Sequence, residues 1–154
     1  MLFNVLHWSM KASKTTKSPA ASRQHLLEIR DALLNLHKAL IDSERGRYEK
    51  TVGPIQSPNQ FLQLLITDPW FAWLQPLSQL IVAIDEVLEE KEPLTDAVAD
   101  ALIKQSRSLL VAAENGEGFS GHYDVALQQD PDVILAHAAA IKLIGRSKNA
   151  GNSA

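Results

Sequence analysis

The feature that most constrains the fold is a row of aliphatic residues that repeats in alternating steps of three and four. The row consists of Leu26, Ile29, Leu33, Leu36 and Leu40. This spacing puts all of its side chains on one face of an α-helix, as along the seam of a helical bundle. Because no stretch of the chain gives a convincing strand alternation, the sequence predicts an all-α fold.

Signals for helix starts recur along the chain, each a capping side chain followed by a proline or an acid. They are Ser18-Pro19, Ser57-Pro58, Asp68-Pro69, Thr95-Asp96 and Asp130-Pro131. Such side chains cap free backbone N–H groups, and proline suits the first helical position because its missing N–H would be unpaired there. Together with the glycine and proline stops, they predict long helices near residues 19–50, 69–91, 96–112 and 131–144, and shorter helices near 58–67 and 120–129.

These boundaries define the predicted architecture. We expect a helical bundle of four long and two short helices, with one long helix kinked at a proline. Residues 18–145 form the predicted bundle domain, residues 1–17 an N-terminal extension, and residues 146–154 a disordered tail of small polar residues.

The kink is predicted from the stretch DPWFAWLQPLSQLIVAID, residues 68–85. Its apolar row keeps the three-four rhythm through Pro76 without a change of phase; the row is Trp70, Trp73, Leu77, Leu80, Ile84 and Val87. An interior proline removes one hydrogen bond, here to the carbonyl of Ala72, and bends a helix without rotating its face. We therefore expect one bent helix or two abutting segments that share a face, with both tryptophans pointing into the core.

Composition and charge exclude several classes of function. The chain has 154 residues, no cysteine and a net charge of −3, which fits one globular domain in a reducing, cytoplasmic environment. Its first 27 residues hold four basic and no acidic residues, which leaves 11 basic and 18 acidic residues, a net charge of −7, in the rest. An acidic body argues against nucleic-acid binding. Residues 1–17 contain an apolar part too short to span a bilayer, so any membrane contact is peripheral and confined to them.

The chain contains one cofactor-binding motif, which lacks the structural context it needs, and none of the metal-binding motifs considered. Gly116, Gly118 and Gly121 satisfy G-x-G-x-x-G, but no βαβ unit surrounds them and Glu114 and Glu117 put negative charge where a phosphate would bind. We interpret this loop as a turn between helices. No glutamate is followed by a histidine three residues later, and H-E-x-x-H is absent, so neither a metal nor another cofactor is predicted.

The best polar candidates lie on the first long helix. Arg30, His37 and Glu44 recur at steps of seven along the border of its apolar face, and Asp85 is the single charge of a similar border row on the kinked helix. A charge at such a boundary needs a partner, so we expect Asp85 to pair with Arg30, His37 or Arg45. If the pair is functional instead, His37 transfers protons or binds ligand while Asp85 or Glu44 orients it.

The remaining histidines suggest structural roles. His137 falls within an apolar stripe of the last helix, formed by Val133, Ile134, Ile141 and Ile144, and is interpreted as a hydrogen-bonded core residue. His122 and Tyr123 open the short helix after the glycine loop and are expected at the surface. Gly46, inside the first helix, suggests the close approach of another backbone.

The segments HKALIDSERGRYEKTVGPI and DPWFAWLQPLSQLIVAID resemble the core of a family of small, uncharacterised bacterial helical proteins. The resemblance covers residues 25–144 and implies a bacterial, cytoplasmic helical domain. It implies no activity, so no functional residue follows from it.

Three functions remain open. The chain lacks catalytic motifs, which favours a non-enzymatic helical module that self-associates or docks a protein partner and exposes an apolar patch. The alternative is a ligand-binding bundle or an enzyme with a pocket beside the proline kink; the candidate ligand-binding residues are His37, Glu44, Tyr48, Trp70, Trp73 and Asp85. No catalytic residue is assigned. The third possibility is a peripheral membrane protein held by residues 1–17.

Overall fold

A computed structural model describes residues 19–114 and 116–152 of the chain. In this part of the chain all regular structure is helical, which confirms the predicted all-α class. The elements are α1 (Pro19–Thr51), α2 (Pro58–Thr67), a 3-10 helix (Pro69–Leu74), α3 (Gln75–Glu89), α4 (Asp96–Leu109), α5 (Phe119–Gln129) and α6 (Pro131–Asn152). The predicted extension, residues 1–17, and the Ser18 cap lie outside the described residues. α6 ends at Asn152, beyond the predicted end at residue 144.

The predicted helix starts are confirmed at the four described caps. Each capping side chain accepts a hydrogen bond from a backbone N–H two or three residues later. The bonds are Ser57 with Gln60 (3.1 Å), Asp68 with Trp70 (2.8 Å), Thr95 with Val98 (3.2 Å) and Asp130 with Asp132 (2.9 Å). These caps satisfy donors that a helix leaves free at its N-terminus, so the element order follows from local sequence.

α1 is the central element of the core. It contacts α3, α4, α5, α6 and the 3-10 helix. Its predicted aliphatic row is fully buried; the residues are Leu26, Ile29, Leu33, Leu36 and Leu40. Because full burial of one such side chain stabilises a fold by about 1.5–3 kcal/mol, this row is a main source of stability.

The segment around Pro76 is divided into two abutting elements. The 3-10 helix ends at Leu74 and α3 begins at Gln75, whose N–H bonds to the carbonyl of Ala72. Pro76 is therefore the second residue of α3, where a missing N–H leaves no hydrogen bond unmade. The apolar row nonetheless continues across the junction, since Trp73, Leu77, Leu80 and Ile84 are all buried.

The 3-10 helix and α3 together, Pro69–Glu89, have the length and apolar composition of a membrane span. An 18-residue stretch within them has a mean hydropathy of 1.2, and 44% of that stretch is buried inside the protein. The buried face packs on α1, which is the behaviour of a core helix in a folded domain.

The last helix departs from its predicted pattern. Val133 and Ile144 are buried as expected, but Ile134 and Ile141, placed in the same stripe from sequence, are exposed. The physical reason is that α6 contacts its neighbours along one narrow face, whereas its apolar residues extend around a wider part of the helix. α6 thus has more apolar surface than the fold buries.

Candidate functional site

The six predicted site residues do not form one pocket. Glu44, Tyr48 and Trp70 cluster where α1 meets the 3-10 helix. Asp85 pairs with Arg30. His37 lines a separate cleft, and Trp73 belongs to a second aromatic cluster with α5.

Glu44 is a buried carboxylate with only 3% of its side chain exposed. Its Oε2 accepts a hydrogen bond of 2.8 Å from the indole Nε1 of Trp70, and its Oε1 accepts one of 3.0 Å from Nη1 of Arg47. Tyr48 packs edge-on against Trp70, with ring centroids 5.6 Å apart. Because both carboxylate oxygens are satisfied, this cluster ties α1 to the 3-10 helix and leaves no oxygen without a protein donor.

The aromatic packing extends from this cluster to α2. Tyr48 and Phe61 both contact Phe71, with centroid distances of 5.5 and 5.9 Å. The guanidinium of Arg45 lies 4.7 Å from the centroid of the Phe61 ring, a cation–π contact that links α1 and α2. Ring packing and the hydrogen bond from Trp70 to the buried Glu44 therefore fix the start of the 3-10 helix.

Asp85 meets Arg30, one of its three predicted partners. Arg30 Nε donates to Asp85 Oδ1 at 2.6 Å, and each side chain is about one third exposed. The neighbouring carboxylate raises the pKa of Arg30. Within the described part of the chain, no hydrogen bond or ion pair joins His37 to Asp85 or to Glu44, so the alternative in which a carboxylate orients His37 has no support in these contacts.

His37 faces a cleft of about 160 Å³ between α1, α2 and the 3-10/α3 junction. The other lining residues are Ile41, Leu65, Phe71, Leu74, Gln75 and Ser78. Burial lowers the pKa of His37, because a partly desolvated imidazole disfavours the charged form. The cleft lies beside Pro76, but His37 is the only one of the six predicted ligand-binding residues among those that line it.

Trp73 lies in a chain of stacked rings that sequence reasoning missed. It stacks on His122 with centroids 5.1 Å apart and packs on Phe119 at 5.4 Å. Phe119 in turn stacks on Tyr123 at 5.2 Å. The indole Nε1 of Trp73 is buried and has no hydrogen-bond partner among the described residues. Trp73 is therefore a core anchor with one unsatisfied donor.

The expectation that Tyr123 lies at the surface is wrong. Its side chain is fully buried, and its hydroxyl hydrogen-bonds to Nδ1 of His137. Burial raises the pKa of Tyr123 and lowers that of His137, which favours the uncharged form of both groups. The helical spacing of Phe119, Tyr123 and Ala126, at steps of four and three, is the signal that predicts this buried face.

The glycine loop is a tight connection between α4 and α5. Gly118 has a φ of +63° and directly precedes α5. A Cβ on Gly121 would lie 2.0 Å from the carbonyl oxygen of Gly116, so only glycine fits this approach. A depression of about 420 Å³ beside the loop is lined by Glu114 and Asp124, which would repel a phosphate. Within the described residues, no group of three or more histidines and carboxylates is arranged to bind a metal ion.

No family model, curated protein or solved structure matches this chain. The resemblance to a bacterial helical family therefore stays a prediction from sequence.

Proposed function

We propose that this chain is a non-enzymatic helical module that self-associates through the exposed face of α6. In this proposal the six helices form a bundle, bent at Pro76, whose role is to hold α6 rigidly against α1. The observation that carries it is the apolar surface that α6 leaves outside the core.

The exposed surface of α6 carries no charged side chain between Asp132 and Lys142. Residues 133–141 read VILAHAAAI and include no charged side chain. We call their exposed residues the α6 face: Ile134, Leu135, Ala138, Ala139 and Ile141. Leu135 alone is 69% exposed. A helix that is apolar all round is normally buried on all sides, so the α6 face lacks a partner that a second molecule would supply.

A groove beside the α6 face gives an incoming helix a place to pack. It has a volume of about 570 Å³ and runs between α6 and α1. Its lining combines small side chains, Ala32, Ala136 and Ala139, and the aliphatic Leu135 and Leu143 with four polar or charged ones, Glu28, Asp31, Asn35 and Arg146. Small residues let two helices approach closely, which favours a helix as occupant.

Charge at the two ends of the α6 face supports a second copy of this chain as the occupant. Asp132 is exposed at the beginning of the face, and Lys142 is exposed at its end. When two α6 helices pack antiparallel about a twofold axis, the acidic end of each meets the basic end of the other. The helix dipoles also favour this direction, whereas a parallel pair brings like charges together.

The oligomeric state tests this proposal. We expect sedimentation and light scattering of the purified chain to give a dimer that dissociates on dilution. Leu135→Glu puts a charge in the middle of the face and should yield a monomer. Ile66→Glu is the matched control, because Ile66 is an aliphatic residue with a similar exposure of 61% on α2. A wild-type monomer at every concentration, or equal dissociation of both variants, contradicts the proposal.

The antiparallel arrangement has its own test in a charge exchange. Asp132→Lys and Lys142→Asp should each weaken the dimer several-fold, since each brings like charges together at two symmetric positions. The double variant restores opposite charges at both positions and should recover the wild-type dissociation constant. If the double variant is weaker than either single variant, the helices do not pack antiparallel in this register.

A further inference from the structure

We propose that the cleft beside His37 binds a compact, uncharged molecule with one ring and one hydroxyl group, of which phenol is the simplest example. This inference concerns a different surface from the α6 face and does not rest on self-association.

Size sets the first limit on the ligand. The cleft holds about 160 Å³. A dry protein cavity of about 150 Å³ accepts one benzene molecule, so a single six-membered ring fills this cleft and a nucleotide does not enter it. The ring of Phe71 and the side chains of Ile41 and Leu65 provide apolar walls for such a ring.

Polarity sets the second limit. No Asp, Glu, Lys or Arg side chain lines the cleft, so a carboxylate or an ammonium group would lose hydration without gaining a permanently charged partner. The polar side chains that line it are His37, Gln75 and Ser78. Among the described residues His37 has no hydrogen-bond partner, whereas the hydroxyl of Ser78 already donates to the Gln75 carbonyl at 3.0 Å. An uncharged imidazole presents one acceptor and one donor, which match a ligand hydroxyl.

The arrangement of these groups favours a ring with a hydroxyl over a plain hydrocarbon. A half-buried imidazole without a partner loses hydration, and a ligand hydroxyl restores a hydrogen bond at that position. The lining residues come from four elements, namely α1, α2, the 3-10 helix and α3, and the buried Glu44–Trp70 bond joins α1 to the 3-10 helix. The cleft is therefore largely formed before ligand binds, which limits the ordering that binding requires.

Titration of the 154-residue chain with three probes tests the inference. Phenol, benzene and benzoate are added in turn while side-chain NMR signals of His37, Leu65 and Phe71 are followed. We expect phenol to shift these signals at lower concentration than benzene, and benzoate to bind weakest. No shift with phenol, or stronger binding of benzoate, overturns the proposal.

Variants separate the hydrogen bond from the cavity. His37→Phe keeps a ring of similar size but has no polar atom, so it should weaken phenol binding about three- to tenfold and leave benzene unchanged. Ser78→Met fills the cleft and should abolish binding of both. His122→Phe, an exposed histidine outside the cleft, is the matched control and should bind phenol as the wild type does. Equal phenol affinity in His37→Phe contradicts the role given to His37.

Discussion

The indole Nε1 of Trp70 donates a hydrogen bond of 2.8 Å to Oε2 of Glu44, a carboxylate that is almost fully buried. The other tryptophan of this segment, Trp73, has a buried Nε1 with no hydrogen-bond partner among the described residues. Two tryptophans three residues apart thus have opposite hydrogen-bonding states. The pair offers a matched comparison of a satisfied and an unsatisfied buried donor.

We predict that Trp70→Phe lowers the free energy of unfolding by about 1.5–3 kcal/mol more than Trp73→Phe. The first substitution removes a donor from a buried carboxylate, while the second removes a donor that was already unpaired. Urea unfolding followed by circular dichroism measures both losses. In a Glu44→Met background the difference should disappear, because the acceptor is gone. Equal losses in the wild-type background would contradict this reading of the Glu44 bond.

The ion pair between Arg30 and Asp85 should contribute less to stability than its distance of 2.6 Å suggests. Both side chains are about one third exposed, so solvent screens the attraction. We predict that Asp85→Asn changes stability less than Trp70→Phe does, and that the change shrinks further at high salt. Unfolding curves of both variants at low and high ionic strength measure the loss of stability and its dependence on salt. A loss that is large and insensitive to salt would show that the pair acts as a buried one.

Local features of the fold could be predicted from sequence because they depend on neighbouring residues. The burial of Leu33 follows from a spacing that any helix converts into one face, and the Thr95 cap satisfies a backbone donor three residues away. The partner of Asp85 was predictable as a short list, since a border charge requires a cation on the facing helix.

Features that depend on packing between distant elements could not be predicted in the same way. Glu44 looks like a border residue in sequence, but it is buried, and one of the two donors that satisfy it comes from Trp70 on another element. Tyr123 lies on a helix face whose burial the spacing predicts, but its hydrogen-bond partner, His137, belongs to a different helix and no local pattern identifies it. The spacing around Pro76 fits one bent helix as well as two abutting segments, because sequence does not reveal that a 3-10 helix ends just before this proline.

Stability should fall as the pH drops below about 6.5, through two partly buried histidines. Burial lowers the pKa values of His37 and His137 from their ordinary value of 6.5, so the unfolded chain binds more protons than the folded chain below that pH. Their contribution is fully present above pH 6.5 and is lost as the pH falls toward the lowered folded-state values. Urea midpoints measured between about pH 5 and 7 should therefore decrease toward acid.

Substituting each histidine shows how much that residue contributes to the dependence of stability on pH. His37→Phe and His137→Phe each remove one titrating group, so each should flatten the pH dependence and the double variant should flatten it most. His137→Phe also leaves the buried Tyr123 hydroxyl without its hydrogen-bond partner, which should lower stability at every pH. A slope that survives in the double variant would assign the pH dependence to other groups.

Two glycines should respond to alanine in opposite directions. A Cβ on Gly121 would lie 2.0 Å from the Gly116 carbonyl oxygen, so Gly121→Ala must push the loop away from α5 and should destabilise the fold strongly. Gly46 lies inside α1 with nothing within 4 Å of its Cβ position, so the close approach suggested by sequence is not found among the described residues. Gly46→Ala should therefore stabilise the protein by up to about 1 kcal/mol through helix propensity alone. Thermal unfolding of both variants measures the effects, and a loss of stability in Gly46→Ala would indicate that this position contacts a second molecule.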